Sequence, residues 1–93
     1  MYMHFEWDEA KNTANVEKHG ISFSQAIAIF DDVVVSRIDD RHEYGEERII
    51  SYGLLEAEVV VTVIHTDRSG VTRIISARLA SSKERKAYYE AIR

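Results

Sequence analysis

Apolar and polar residues alternate over residues 3–7, MHFEW, which predicts a short strand. Asp8 then sits where an N-cap belongs, and a helix is expected over about 9–18. Lys18 and His19 suit the negative end of that helix, and Gly20 suits its C′ position. Ser22 and Gln25 have the spacing of a capping box, with Ile21 placed as a hydrophobic staple. They open a second helix, whose apolar bulk is Ile27, Ile29 and Phe30 and which Asp31-Asp32 end. The pattern then becomes β-branched. VVVSRI (33–38) reads as a strand, polar DDRHEYGEE (39–47) as a loop, and RIISYG (48–53) as a strand followed by the link LLEA (54–57). EVVVTVIHT (58–66) is the most apolar strand and is expected at the centre. DRSG (67–70) reads as a tight turn, returning VTRIISARLA (71–80) antiparallel to it. Ser81 and Glu84 repeat the capping-box spacing and open a helix over about 82–92. The order β-α-α-β-β-β-β-α predicts an α+β domain. Two N-terminal helices precede a mainly antiparallel sheet of four to five strands, and a C-terminal helix follows it.

Length and composition narrow this picture. The 93 residues suffice for one domain, read here as 1–93, which buries only about 60–65% of its unfolded surface. Cysteine is absent, so no disulfide framework or thiolate metal site is possible; a cytoplasmic protein is expected. No apolar run approaches the roughly 20 residues of a membrane span, and no secretory signal pattern opens the chain. The net charge of −4 hides an asymmetry. Residues 1–67 sum to −9, whereas residues 68–93 sum to +5 through Arg68, Arg73, Arg78, Lys83, Arg85, Lys86 and Arg93. That C-terminal third can offer a polyanion a local basic surface; equally, Lys83, Arg85 and Lys86 can be the wet face of a terminal helix.

Two blocks carry a family resemblance. FEWDEAKNTANVEKHGISF (5–23) has Trp-Asp, Lys-Asn and Lys-His-Gly elements. VVVTVIHTDRSGVTRIISARLASSKERKAYYE (59–90) has Thr-x-Arg, Arg-Ile-Ile-Ser-Ala-Arg, Glu-Arg and a following Tyr. Together with Arg48 and Gly53 between them, they resemble the BrnT toxins of bacterial type II toxin–antitoxin systems. The resemblance implies a RelE-like fold and a ribonuclease that halts translation. It also implies a small BrnA-type antitoxin that holds the toxin inactive, and through which alone the complex contacts operator DNA. No cofactor is implied.

RNA cleavage without metal needs three things: a base for the attacking 2′-hydroxyl, cations facing the phosphorane, and a proton for the departing 5′-oxygen. Arginine suits the second role because its donor fork matches phosphate oxygens and stays charged. Histidine suits proton transfer. Arg68, Arg73, Arg78 and His65 are therefore the catalytic candidates, and Lys18, His19, Lys83 and Arg85 the candidates for gripping RNA. Each has a plainer reading: Arg78 and Arg73 as partners of carboxylates, Arg68 as an exposed turn charge, His65 as a core-edge histidine, and Lys18 and His19 as complements of a helix terminus. Glu84 reads first as a capping residue, with a general base as the alternative. Pairing Thr66 with Val71 would set Ile64 opposite Arg73 and His65 opposite Thr72. By strand parity Arg73 and Arg78 diverge to opposite faces unless a bulge intervenes. The four histidines lack metal-ligand spacing, and neither a nucleophile elbow nor a Gly-rich phosphate loop is present. The alternative to a toxin enzyme is a non-catalytic interaction domain, a degenerate toxin within an autorepressor complex.

Overall fold

A computed structural model describes residues 3–56 and 58–93. Its strands are β1 (His4–Glu6), β2 (Val35–Asp39), β3 (Arg48–Leu55), β4 (Val59–Arg68) and β5 (Val71–Leu79). Its helices are α1 (Glu9–His19), the single-turn α2 (Phe23–Ala26) and α3 (Ser82–Ile92). The strands form one sheet in the order β1-β5-β4-β3-β2. β1 runs parallel to β5 and every other pairing is antiparallel. The α+β class, the antiparallel majority and the C-terminal helix agree with the sequence pattern. The link expected over 54–57 is in part the end of β3; Ala57 lies outside the described residues.

The helix starts follow local chemistry. Asp8 accepts from the Lys11 N–H at 3.1 Å, and Gly20, at φ 74°, ends α1 with its N–H on the Val16 carbonyl at 2.8 Å. Both capping boxes form: Ser22 with Gln25 and Ser81 with Glu84, each exchanging side-chain and backbone hydrogen bonds. The second helix differs from expectation. Only Phe23–Ala26 is α-helical, and Ile27–Asp31 tightens into a 3-10 turn. The β-branched Ile27 and Ile29 are stiff in an α-helix, and Ile29 seats directly on β3. A Cβ added at Gly53 would lie 2.6 Å from the Ile29 Cβ, so the glycine makes that approach possible.

The sheet carries two cores. Val61, Val63, Ile74 and Ala77 face Ile21, Phe23, Ala26 and Ile29 on the side of α1 and α2. Ile50, Tyr52, Val60 and Ala80 face Tyr88 of α3 on the other. The Tyr88 hydroxyl donates to the Val33 carbonyl at 3.2 Å and ties α3 to the lead-in of β2. Among the described residues, β1 covers residues 71–73 of β5. Beyond it, buried Asn15 of α1 takes a strand's place: its amide donates to the Ala77 carbonyl at 2.8 Å and accepts from the Ala77 N–H at 3.2 Å. The same amide also donates to the Ile21 carbonyl. Among the described residues, no helix is long and apolar enough to cross a membrane.

The β4–β5 turn is shorter than expected. Ser69 and Gly70 both have positive φ, 51° and 80°, the signature of a two-residue type I′ turn. β4 therefore runs on to Arg68, and the register moves. Arg68 pairs with Val71, Thr66 with Arg73 and His65 with Ile74, in place of the expected Thr66–Val71, Ile64–Arg73 and His65–Thr72.

Candidate functional site

Arg73 and Arg78 are five residues apart, and a regular strand would send them to opposite faces. β5 is not regular. Ile64 pairs with Ser76 while His65 pairs with Ile74, leaving Ile75 without a partner. This bulge resets the alternation. Arg73 now stands opposite Thr66 and Arg78 opposite Thr62, and those threonines share one face of the unbroken β4. Arg68, two residues beyond Thr66, lies on that face too. Arg37 pairs with Ile50 and Ile50 with Ile64, which adds Arg37 and, two residues from Ile50, Arg48. Five arginines from four strands thus share the face that α3 partly covers.

Their partners differ. Arg78 makes a two-pronged contact with Glu84 of α3, at 2.6 and 3.0 Å. Glu84 also accepts from Thr62 Oγ1 at 3.1 Å and from the Ser81 N–H at 2.8 Å. Burial alone would raise the Glu84 pKa, but the hydrogen bonds and charge of Arg78, with those of Ser81 and Thr62, hold it down at about 2. The same contact raises the Arg78 pKa. A carboxylate so weakly basic is a poor general base at neutral pH; Glu84 acts as a clamp. Arg68 pairs with Glu46 at 2.8 Å and Arg73 with Glu6 at 2.6 Å, both toward solvent. Arg37 Nε donates to the Tyr52 hydroxyl at 3.1 Å, which leaves the Tyr52 proton free to be donated onward. The Arg48 guanidinium lies 3.9 Å from the centre of the Tyr44 ring. A groove of about 510 Å³ opens between the sheet and α3, lined by Val35, Arg37, Tyr52, Ser81, Lys83, Glu84 and Ala87.

The other sequence candidates do not all join this face. His65 lies on the opposite side of β4 and is buried against the Phe30 ring. Its Nε2 meets Ser51 Oγ at 2.8 Å and its Nδ1 meets Asp67 Oδ1 at 2.9 Å, so both ring nitrogens are engaged. Lys18 and His19 border a separate cavity of about 220 Å³ with Ile75 and Ser76 at the edge of β5. Lys83 lines the main groove. Arg85 turns back on its own helix start, donating to the Ala80 carbonyl and Ser82 Oγ. Arg37, Tyr52 and Thr62 escaped the sequence reading, and Arg48 entered it only as a position of the family resemblance, not as a site residue. Alternation along their strands was the one available signal, and it does not say which face carries α3. Among the described residues no group of three or more His, Asp or Glu is arranged to hold a metal ion.

The model of the family described as "ribonuclease toxin, BrnT, of type II toxin-antitoxin system" matches residues 7–84. The chain belongs to the BrnT family. The matched span takes in all of β2 to β5 together with Arg68, Arg73, Arg78 and Glu84. The crystal structure of the Brucella abortus ribonuclease toxin BrnT shares the fold, with a TM-score of 0.66 at 24% identity. The alignment covers 87% of this chain and all of that one. No curated protein matches. As a BrnT-family member the chain is the toxin of a toxin–antitoxin pair, a ribonuclease by family, and an antitoxin is its expected partner.

Proposed function

We propose that this BrnT-family toxin is a metal-independent endoribonuclease of RelE-like type that cuts cytoplasmic RNA and stops translation. The single observation that carries the reading is the bulge at Ile75, which brings Arg73 and Arg78 onto one face with Arg37, Arg48 and Arg68. The 2′-oxygen of the RNA attacks the adjacent phosphorus as its proton passes to a solvent water. The bond to the 5′-oxygen breaks, and a cyclic phosphate and a 5′-hydroxyl result. Arg37, in the groove beside α3, and Arg78, held against the groove residue Glu84, stabilise the phosphorane charge. The Tyr52 hydroxyl, oriented by Arg37, donates to the departing oxygen. Arg68, Arg73 and Lys83 hold the flanking strand. His65, Lys18, His19 and Arg85 have no part in this scheme. A BrnA-type antitoxin closes the face in the cell, and operator DNA is reached through it alone.

A second reading, a non-catalytic partner in a repressor complex, draws on the carboxylates that already face Arg68, Arg73 and Arg78. One experiment separates the two. Purified chain is incubated with RNA in excess EDTA, beside Arg37→Ala and Tyr52→Phe. Cleavage by the parent, lowered about 100-fold or more in both variants, supports the enzyme. Intact RNA with the parent, and unimpeded growth on expression without antitoxin, would leave the binding module.

A further inference from the structure

We infer that Arg48 and Thr66 form a second anion subsite, one that takes a phosphate of the RNA strand other than the phosphate being cleaved. The inference rests on the ribonuclease reading above. Arg48 Nε and Thr66 Oγ1 are buried polar atoms with no hydrogen-bond partner among the described residues. They belong to adjacent strands: continuing the Ile50–Ile64 and Ile49–His65 register sets Arg48 beside Thr66 on the arginine face. Thr66 is 2% exposed. A buried donor left without an acceptor bears its full desolvation penalty, more so when it is charged. Valine at position 66 would fill the same shape without that penalty. Two such donors side by side fit an acceptor supplied from outside the chain.

The surroundings define what that acceptor is. The row across the sheet reads Asp39, Arg48, Thr66, Arg73, Glu6. Asp39 is the cross-strand neighbour of Arg48, yet it is spent elsewhere: Arg41 donates to it at 2.7 and 2.9 Å and the Tyr44 hydroxyl at 3.2 Å. Glu6 neutralises Arg73 at the other end. Among the described residues Arg48 is thus the cation of the row that faces no carboxylate, while the Tyr44 ring holds its guanidinium plane. A fixed guanidinium N–H next to a hydroxyl suits two oxygens of one tetrahedral phosphate. Thr66 and Thr62 are four residues apart on β4, about 13 Å. A phosphate at Arg48 and Thr66 is therefore not the one beside Arg78, and the two mark points along one strand of RNA.

The test uses the full chain and an oligonucleotide with 2′-O-methyl groups throughout, which binds but has no attacking hydroxyl. Fluorescence anisotropy gives Kd, and a thermal melt gives Tm, for the parent, Thr66→Val and Arg48→Lys. The expected result is a five- to tenfold weaker Kd for each variant with the Thr66→Val Tm unchanged or raised. With unmodified RNA, the loss falls in KM rather than kcat. An unchanged Kd in both variants overturns the inference. A lowered Thr66→Val Tm does so as well, because the hydroxyl then serves the fold. A loss confined to kcat places these residues at the cleaved phosphate and refutes a second subsite. If the parent binds the probe through Arg48 and Thr66 but cuts nothing, the subsite stands and the ribonuclease reading falls.

Discussion

Replacing Arg78 by alanine strips Glu84 of its two-pronged partner and leaves a carboxylate whose side chain is only 14% exposed. Hydrogen bonds to charged groups each contribute about 1.5–3 kcal/mol. Arg78 is itself 29% exposed, so water regains part of both contacts, and a net loss of about 2–3 kcal/mol is expected. A 93-residue chain at roughly 0.05–0.15 kcal/mol per residue has about 5–14 kcal/mol in all. At about 4–8 °C per kcal/mol, Tm should fall by about 10–20 °C. The double variant Arg78→Ala/Glu84→Gln removes the stranded charge yet keeps an acceptor for Ser81 and Thr62, and should recover about half of that loss. Urea unfolding followed by circular dichroism supplies the free energies, and RNA cleavage is then compared at a temperature where every variant is folded. Cleavage should stay down about 100-fold or more in both, which separates the charge at the groove from the clamp that holds α3. A single variant within 0.5 kcal/mol of the parent, or a double no more stable than the single, would refute the clamp.

Three further outcomes follow from the same structure. Gly53→Ala should cost about 1–3 kcal/mol, because its Cβ would meet the Ile29 Cβ at 2.6 Å, and the urea midpoint reads it directly. Asn15→Asp should lose about 2–4 kcal/mol and speed amide exchange at Ala77, since a carboxylate cannot donate to the Ile21 and Ala77 carbonyls; unchanged protection at Ala77 would argue against the edge cap. Acid should destabilise the chain through Glu84. Its folded pKa lies below that of the unfolded chain, so its contribution is complete above about pH 4.5 and drains away as pH falls toward about 2. Glu84→Gln should flatten the Tm profile in that window, and a profile as steep as the parent's would be the contrary result.

Much of the fold was legible because its signals are short-range. Asp8, Gly20 and the pairs Ser22–Gln25 and Ser81–Glu84 act within one helical turn, and the strand runs advertise themselves by β-branched residues. The second helix was misjudged in form, since Ile29 answers to Gly53, far away in sequence. His65 shows the same limit. Asp67, two residues along the strand, is a local partner for one ring nitrogen, but nothing local to the histidine reveals that Ser51 of β3 occupies the other.

By itself, then, the sequence determined the α+β class, the helix caps and the collection of cations after residue 67, because propensity, capping and charge are properties of neighbouring residues. Only the tertiary structure decided which of those cations meet. Strand parity separates Arg73 from Arg78, and the unpaired Ile75 reunites them. A bulge belongs to two strands at once: it exists only in the hydrogen-bond ladder between β4 and β5, where the register shifts at Ile64 and His65. No stretch of single chain encodes it, and so the arginine face became visible only when the sheet was assembled.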